Sequence, residues 1–123
     1  MKLILAASLL LVLALVAGCG GGTVSGLAGN WNGTYTTSTG QTGTISGFVT
    51  SSGVINGTVH NNTTGEDGNI SGAIVPTGTS SLTFSYGSGT STATGSLLFT
   101  TKQLTGSLKD TSGTTYTIAL TQS

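Results

Sequence analysis

The chain has 123 residues, three basic and three acidic side chains, and a formal charge of zero at neutral pH. That length holds one domain, and three cations are too few for a nucleic-acid surface, which must neutralise several phosphates with Lys or Arg. Glycine is abundant, at 21 residues, but the regular alternation of β-branched and aromatic residues with polar ones argues for a folded chain over a disordered one.

The first segment reads as an address. Met1-Lys2 gives a positive start, and Leu3 to Ala17 is an apolar run. It is shorter than the ~20 residues of a spanning helix and fits the hydrophobic helix of a signal peptide. It ends in Val16-Ala17-Gly18-Cys19, which resembles the lipobox of bacterial lipoproteins. The resemblance implies that residues 1–18 are removed, that the Cys19 sulfur carries a diacylglycerol, and that the new amino terminus is acylated. The implied partner is a membrane, held through the lipid, and the implied location is the cell envelope. Gly20 stands where an Asp would signal retention in the inner membrane, so an outer membrane is favoured where the source is Gram-negative. Cys19 is the only cysteine, so the chain forms no internal disulfide. After Cys19, two lysines face three acids, a side-chain charge of −1. Residues 19–29 are Gly-rich and read as a lipidated Cys and tether, about 17 Å end to end as a flexible chain.

From residue 30 onward one phrase returns: large apolar, polar, Gly, polar, large apolar. It appears as Trp31-Asn32-Gly33-Thr34-Tyr35, Ile45-Ser46-Gly47-Phe48-Val49, Ile55-Asn56-Gly57-Thr58-Val59 and Ile70-Ser71-Gly72-Ala73-Ile74. Ala93-Thr94-Gly95-Ser96-Leu97 and Leu104-Thr105-Gly106-Ser107-Leu108 complete the set. Leu82-Phe84-Tyr86 and Tyr116-Ile118-Leu120 keep the alternation without the glycine. A period of two is the strand signature. It predicts eight strands near 30–37, 43–50, 54–60, 69–75, 81–86, 92–100, 103–109 and 114–121. Gly-containing turns join them, and the only proline, Pro76, falls at a strand end.

Short links between neighbours predict an antiparallel meander. One face of every strand is apolar and uncharged, and no helical period follows Cys19 to supply a cover. Closing the sheet on itself buries that face and removes both edges. The expected fold is therefore all-β, an eight-stranded antiparallel up-and-down barrel over residues 30–123, with a β-sandwich as the alternative. A transmembrane barrel with its apolar face toward lipid would need strands of about 9–11 residues and aromatic girdles, which most of these strands lack. Phe48 and Leu98 are the larger apolar residues expected to point outward.

The stretch Leu27-Ala28-Gly29-Asn30-Trp31-Asn32-Gly33-Thr34-Tyr35 resembles the G-x-W start of the first strand in lipocalins and avidin-like proteins. The resemblance implies a small barrel with Trp31 closing one end. Avidin-like proteins line their biotin site with several later-strand tryptophans, and Trp31 is the only tryptophan here, so biotin is not expected.

An even strand number puts both termini at one end, which the lipid would hold at the membrane. Two sets of candidate site residues follow. Trp31, Tyr35, Phe84, Tyr86, Phe99 and Tyr116 would line an interior that holds a small apolar ligand, if the six inward glycines open a waist; the geometric reading is that glycine relieves crowding in a tightly coiled barrel. His60, Glu66, Asp67 and Asp110 fall at the far end, beside the longest and most acidic loop, 61–68, as contacts for another envelope protein or a target enzyme. One His and two neighbouring acids do not make a metal-ligand spacing, and no nucleophile motif surrounds His60. The expectation is a non-enzymatic protein without metal or cofactor.

Overall fold

The structure, a computed structural model, describes residues 26–123. The apolar leader and Cys19 lie outside the described residues. Eight strands follow: β1 (Gly29–Thr37), β2 (Thr42–Val49), β3 (Val54–Asn61), β4 (Asp67–Ala73), β5 (Ser80–Tyr86), β6 (Gly89–Thr100), β7 (Gln103–Asp110) and β8 (Thr115–Gln122). They form a closed barrel in sequence order. Every neighbouring pair is antiparallel, and β1 closes on β8 from Trp31↔Gln122 to Thr37↔Tyr116. That continuous seam makes the molecule a barrel rather than a sandwich.

Two strands depart from their expected bounds by two residues or more. β4 starts earlier, because Asp67 pairs with His60 and Gly68 with Val59. It also stops earlier: the Ile74 amide leaves the ladder and donates to the Gly53 carbonyl at 2.7 Å, two residues before Pro76. β6 begins at Gly89 instead of residue 92, because Tyr86 pairs with Gly89 across a link of only two residues. Two-residue links match the twist of their flanking strands, so the ladder runs up to the turn.

The inward side chains are packed to exclusion of solvent. Ile45, Val49, Ile55, Ile70, Leu82, Phe84, Leu97, Leu104, Leu108, Ile118 and Leu120 are all buried, with Trp31 and Tyr35 the bulkiest. The glycines do not open a waist. Each sits opposite a large inward residue of a neighbouring strand: Gly33↔Ile45, Gly47↔Trp31, Gly57↔Ile70, Gly72↔Leu82, Gly95↔Leu108 and Gly106↔Leu97. Adjacent copies of the repeat pair two residues out of phase in β1–β2, β3–β4 and β6–β7, so large meets small across those ladders; in β2–β3 they pair in phase, and Gly47 faces Gly57. The strands then approach closely: a Cβ on Gly33 would lie 1.9 Å from the Ala119 carbonyl oxygen. The tight coiling that a small barrel requires thus depends on the missing side chain.

The two ends differ. The terminal end carries the start of β1, the end of β8 and links 50–53, 74–79 and 101–102. It is plugged. The Trp31 indole N–H donates to the Leu27 carbonyl at 2.8 Å, and its ring meets Phe99 edge-on at 6.0 Å. Leu27 is itself buried, and the Gln122 amide donates to the carbonyls of Gly26 and Ala28. Residues 26–29, expected as part of the tether, thus belong to the folded unit, because Leu27 covers the plug. The outer wall is mostly Thr, Ser and Asn, with hydroxyl pairs such as Thr83 and Thr92 at 2.9 Å across β5 and β6.

Candidate functional site

The end opposite the termini is open. It carries links 38–41, 62–66, 87–88 and 111–114, and it holds a cleft of about 230 Å³ between the strand ends and these links. The aromatic floor comes from inward positions of β1, β5 and β8. Phe84 and Tyr116 stack at 4.9 Å with an interplanar angle of 10°, and Tyr35 tilts against both. The Tyr35 and Tyr86 hydroxyl oxygens are 2.6 Å apart.

Two further glycines seat these rings. Gly43 faces Tyr35 and Gly68 faces Tyr86 across their ladders. A Cβ on Gly43 would sit 2.3 Å from the Tyr35 ring, and one on Gly68 would sit 2.7 Å from the Tyr86 ring. The same large-against-small pairing that packs the core therefore also positions the mouth. Burial pushes the Tyr35 hydroxyl above its ordinary 10.0. It pushes Tyr86 further up, and the bond to Tyr35 acts in the same direction. Both hydroxyls stay neutral at physiological pH and act as hydrogen-bonding groups, not as anions.

Polar groups rim this floor: Gln41, Asn61, Thr64, Glu66, Ser88 and Ser91. Ser88 Oγ donates to Glu66 Oε1 at 2.9 Å. Tyr116 donates to Ser91 Oγ at 3.3 Å, and Ser91 Oγ donates to Asp110 Oδ2 at 2.9 Å. Among the described residues, no Lys, Arg or His lines the cleft, so its lining suits a neutral or cationic group over an anionic one.

At the longest link of this end, 62–66, the side chain that makes the most hydrogen bonds is that of Asn61. Asn61 is buried; its Oδ1 accepts from the Thr63 and Thr64 amides at 2.9 and 3.0 Å. Its Nδ2 donates to Gln41 Oε1 at 3.1 Å. Removing Asn61 leaves the Thr63 and Thr64 amides and Gln41 Oε1 without this partner in a part-buried setting, at about 1–3 kcal/mol. Asn61→Ala is therefore expected to lose roughly 2 kcal/mol in urea denaturation and to speed amide exchange at Thr63 and Thr64. Unchanged exchange there would show that the loop holds itself.

Asp110 organises the opposite link. Its Oδ1 accepts from Ser112 Oγ at 2.6 Å and from the Ser112 and Thr114 amides, each at 3.0 Å. The Ser112 hydroxyl foremost, then Ser91 and these amides, lower its carboxyl from 3.8 to about 2, against a smaller opposing effect of burial. A folded pKa below the unfolded one adds stability that is present above the unfolded value and lost as the pH falls through the folded one. An NMR acid titration should therefore release the Ser112 and Thr114 amides with a midpoint near 2. A midpoint near 3.8 would mean that these bonds do not favour the carboxylate.

The closed barrel divides the sequence-predicted residues. Tyr35, Phe84, Tyr86 and Tyr116 meet at the mouth with Glu66, and Asp110 stands behind Ser91. Trp31 and Phe99 lie at the plugged end. His60 and Asp67 face outward as a cross-strand pair, with His60 Nδ1 2.6 Å from Asp67 Oδ1. They border a groove on the outer wall with Thr44, Ser46 and Thr58, and line no part of the mouth cleft. Among the described residues, no three His, Cys, Asp or Glu side chains converge as a metal site would require. Gln41, Gly43, Gly68, Ser88 and Ser91 shape the mouth and carry no sequence signal beyond turn chemistry. No model of a known protein family matches the chain, and neither does any curated protein.

Proposed function

We propose that the protein is a non-enzymatic lipoprotein of the cell envelope. Acylated at Cys19, its lipocalin-like barrel serves as a solid scaffold, and its open mouth binds another envelope protein. The observation that carries this reading is the mouth itself: an aromatic floor, a hydrogen-bonding rim and a carboxylate, Glu66, around about 230 Å³. Cavities for whole small-molecule ligands are commonly about 300–1,000 Å³. The cleft is of a size for one neutral or basic side chain presented by a partner. The packed interior favours this over an apolar ligand held inside the barrel.

The test places a photo-crosslinking residue at Thr64 or Ser88 on the rim, and at Thr83 on the outer wall, in cells that make the full chain. Adducts of one discrete mass from the rim sites, weakened by Glu66→Gln and missing from Thr83, are the expected result. Equal adducts from wall and rim, or none from the rim, would contradict it.

A further inference from the structure

The three large apolar side chains left exposed on the barrel all stand near one end. Phe48 is 52% exposed, Val54 42% and Leu98 61%. Val54 opens β3 at the terminal end, Phe48 is one residue from the same end of β2, and Leu98 is two residues from the same end of β6. At a strand rise of about 3.3 Å and a tilt of about 35–45°, two residues span about 5 Å of axial height. All three therefore fall in one shallow band around the terminal rim. Phe48 and Val54 are diagonal neighbours on the outer face, since Phe48 pairs with Asn56, and Ala73 pairs with Val54 beside them.

Charge follows the same axis. Lys102 occupies the link between β6 and β7 on the terminal rim, whereas Glu66, Asp67 and Asp110 lie at the mouth end with one lysine, Lys109, leaving that end a net side-chain charge of −2. The chain also enters the barrel at the terminal rim. Gly26 lies against it, held by Gln122, and Cys19 precedes Gly26 by seven residues, a reach of at most about 25 Å.

We infer that the terminal rim is a membrane-contact surface, with Phe48, Val54 and Leu98 seated in the headgroup layer and Lys102 facing lipid phosphate. The inference rests on the anchor at Cys19 proposed above. An apolar band about 5 Å deep matches the ~5–10 Å to which interfacial apolar faces are buried. A single cation adds a modest attraction to an anionic surface. The acids at the opposite end would be repelled by the same surface. The barrel is thereby held upright, with its mouth turned away from the bilayer.

The full-length, acylated protein in vesicles of phosphatidylethanolamine and phosphatidylglycerol tests this. A polarity-sensitive fluorophore is attached through Ser52→Cys or Thr101→Cys at the rim, or through Ser88→Cys or Thr111→Cys at the mouth. The expected result is blue-shifted emission, quenched by nitroxide-labelled lipids, at both rim sites and at neither mouth site. In the Phe48→Ser/Leu98→Ser double variant the rim shift is expected to vanish while the protein still sediments with the vesicles. Rim labels that read water on sedimenting protein would overturn the inference and leave the anchor standing. A chain that carries no acyl group and stays in the supernatant would overturn both.

Discussion

Gly57→Ala is expected to unfold the barrel or to cost it about 3 kcal/mol or more, at or beyond the upper end for overpacked cores. A Cβ there would lie 2.1 Å from the Ser46 carbonyl oxygen and 2.4 Å from the Gly47 Cα. Both are backbone atoms of the neighbouring strand, so no rotamer change relieves the overlap, and the β2–β3 ladder must part. Gly47→Ala is the matched control. It occupies the same place in the repeat and faces Gly57 across the ladder. Its Cβ would meet Ile55 Cγ1 at 3.1 Å and the Asn56 backbone oxygen at 3.2 Å, contacts that shifts of a few tenths of an ångström in the Ile55 side chain and the strand can ease. Urea denaturation of the two variants should differ by roughly 2 kcal/mol or more. Equal losses would mean that the glycines share one conformational role and that close strand approach is not their purpose.

Trp31→Ala should cost about 3–5 kcal/mol, the usual loss for truncating a buried large aromatic. Its ring is fully buried at the plugged end, and removing it withdraws the support under Leu27 and Phe99 as well as the hydrogen bond to the Leu27 carbonyl. For a domain of this size the loss corresponds to a fall in Tm of about 15–30 °C, readable by circular dichroism. Trp31→Phe keeps most of the apolar volume and loses the indole N–H, leaving the Leu27 carbonyl without its partner, so about 1–2 kcal/mol is expected. A loss below 1 kcal/mol for Trp31→Ala would mean that the end of the barrel is not held by this plug.

The strand period made most of this fold legible. Because alternate residues face opposite sides of a sheet, the inward residues could be assigned from parity alone. The barrel buries the large ones as assigned except Tyr86, Phe99 and Tyr116, which are partly buried at its two ends. Leu27 was not legible. It stands in a Gly-rich stretch with no alternation, and only the closed barrel gives it a surface to cover. The role of the repeated glycines was only half legible. Their inward direction follows from parity, but whether they face each other or face large residues depends on register, which the repeat does not reveal. Pairing two residues out of phase in β1–β2, β3–β4 and β6–β7 decides between the two readings of the glycines, as an open waist or as relief of crowding, in favour of seats for large residues. The mouth was legible in its aromatics, Tyr35, Phe84, Tyr86 and Tyr116, which obey the period. Its polar rim was not, because Gln41, Asn61, Ser88 and Ser91 sit at strand ends and turns and converge only when β8 meets β1. His60 and Asp67 are near Glu66 in sequence, but outward parity carries them onto the wall.

Xenon-pressure methyl NMR tests most directly whether the barrel is a solid scaffold with its working surface at the mouth. Xenon enters empty apolar cavities too small or too dry for water, and Ile, Leu and Val methyls line the whole interior. A solid barrel leaves the methyls of Ile55, Ile70, Leu97, Leu108 and Ile118 unshifted as the pressure rises. A saturable shift at these methyls would reveal a cavity at the glycine level and contradict a packed interior.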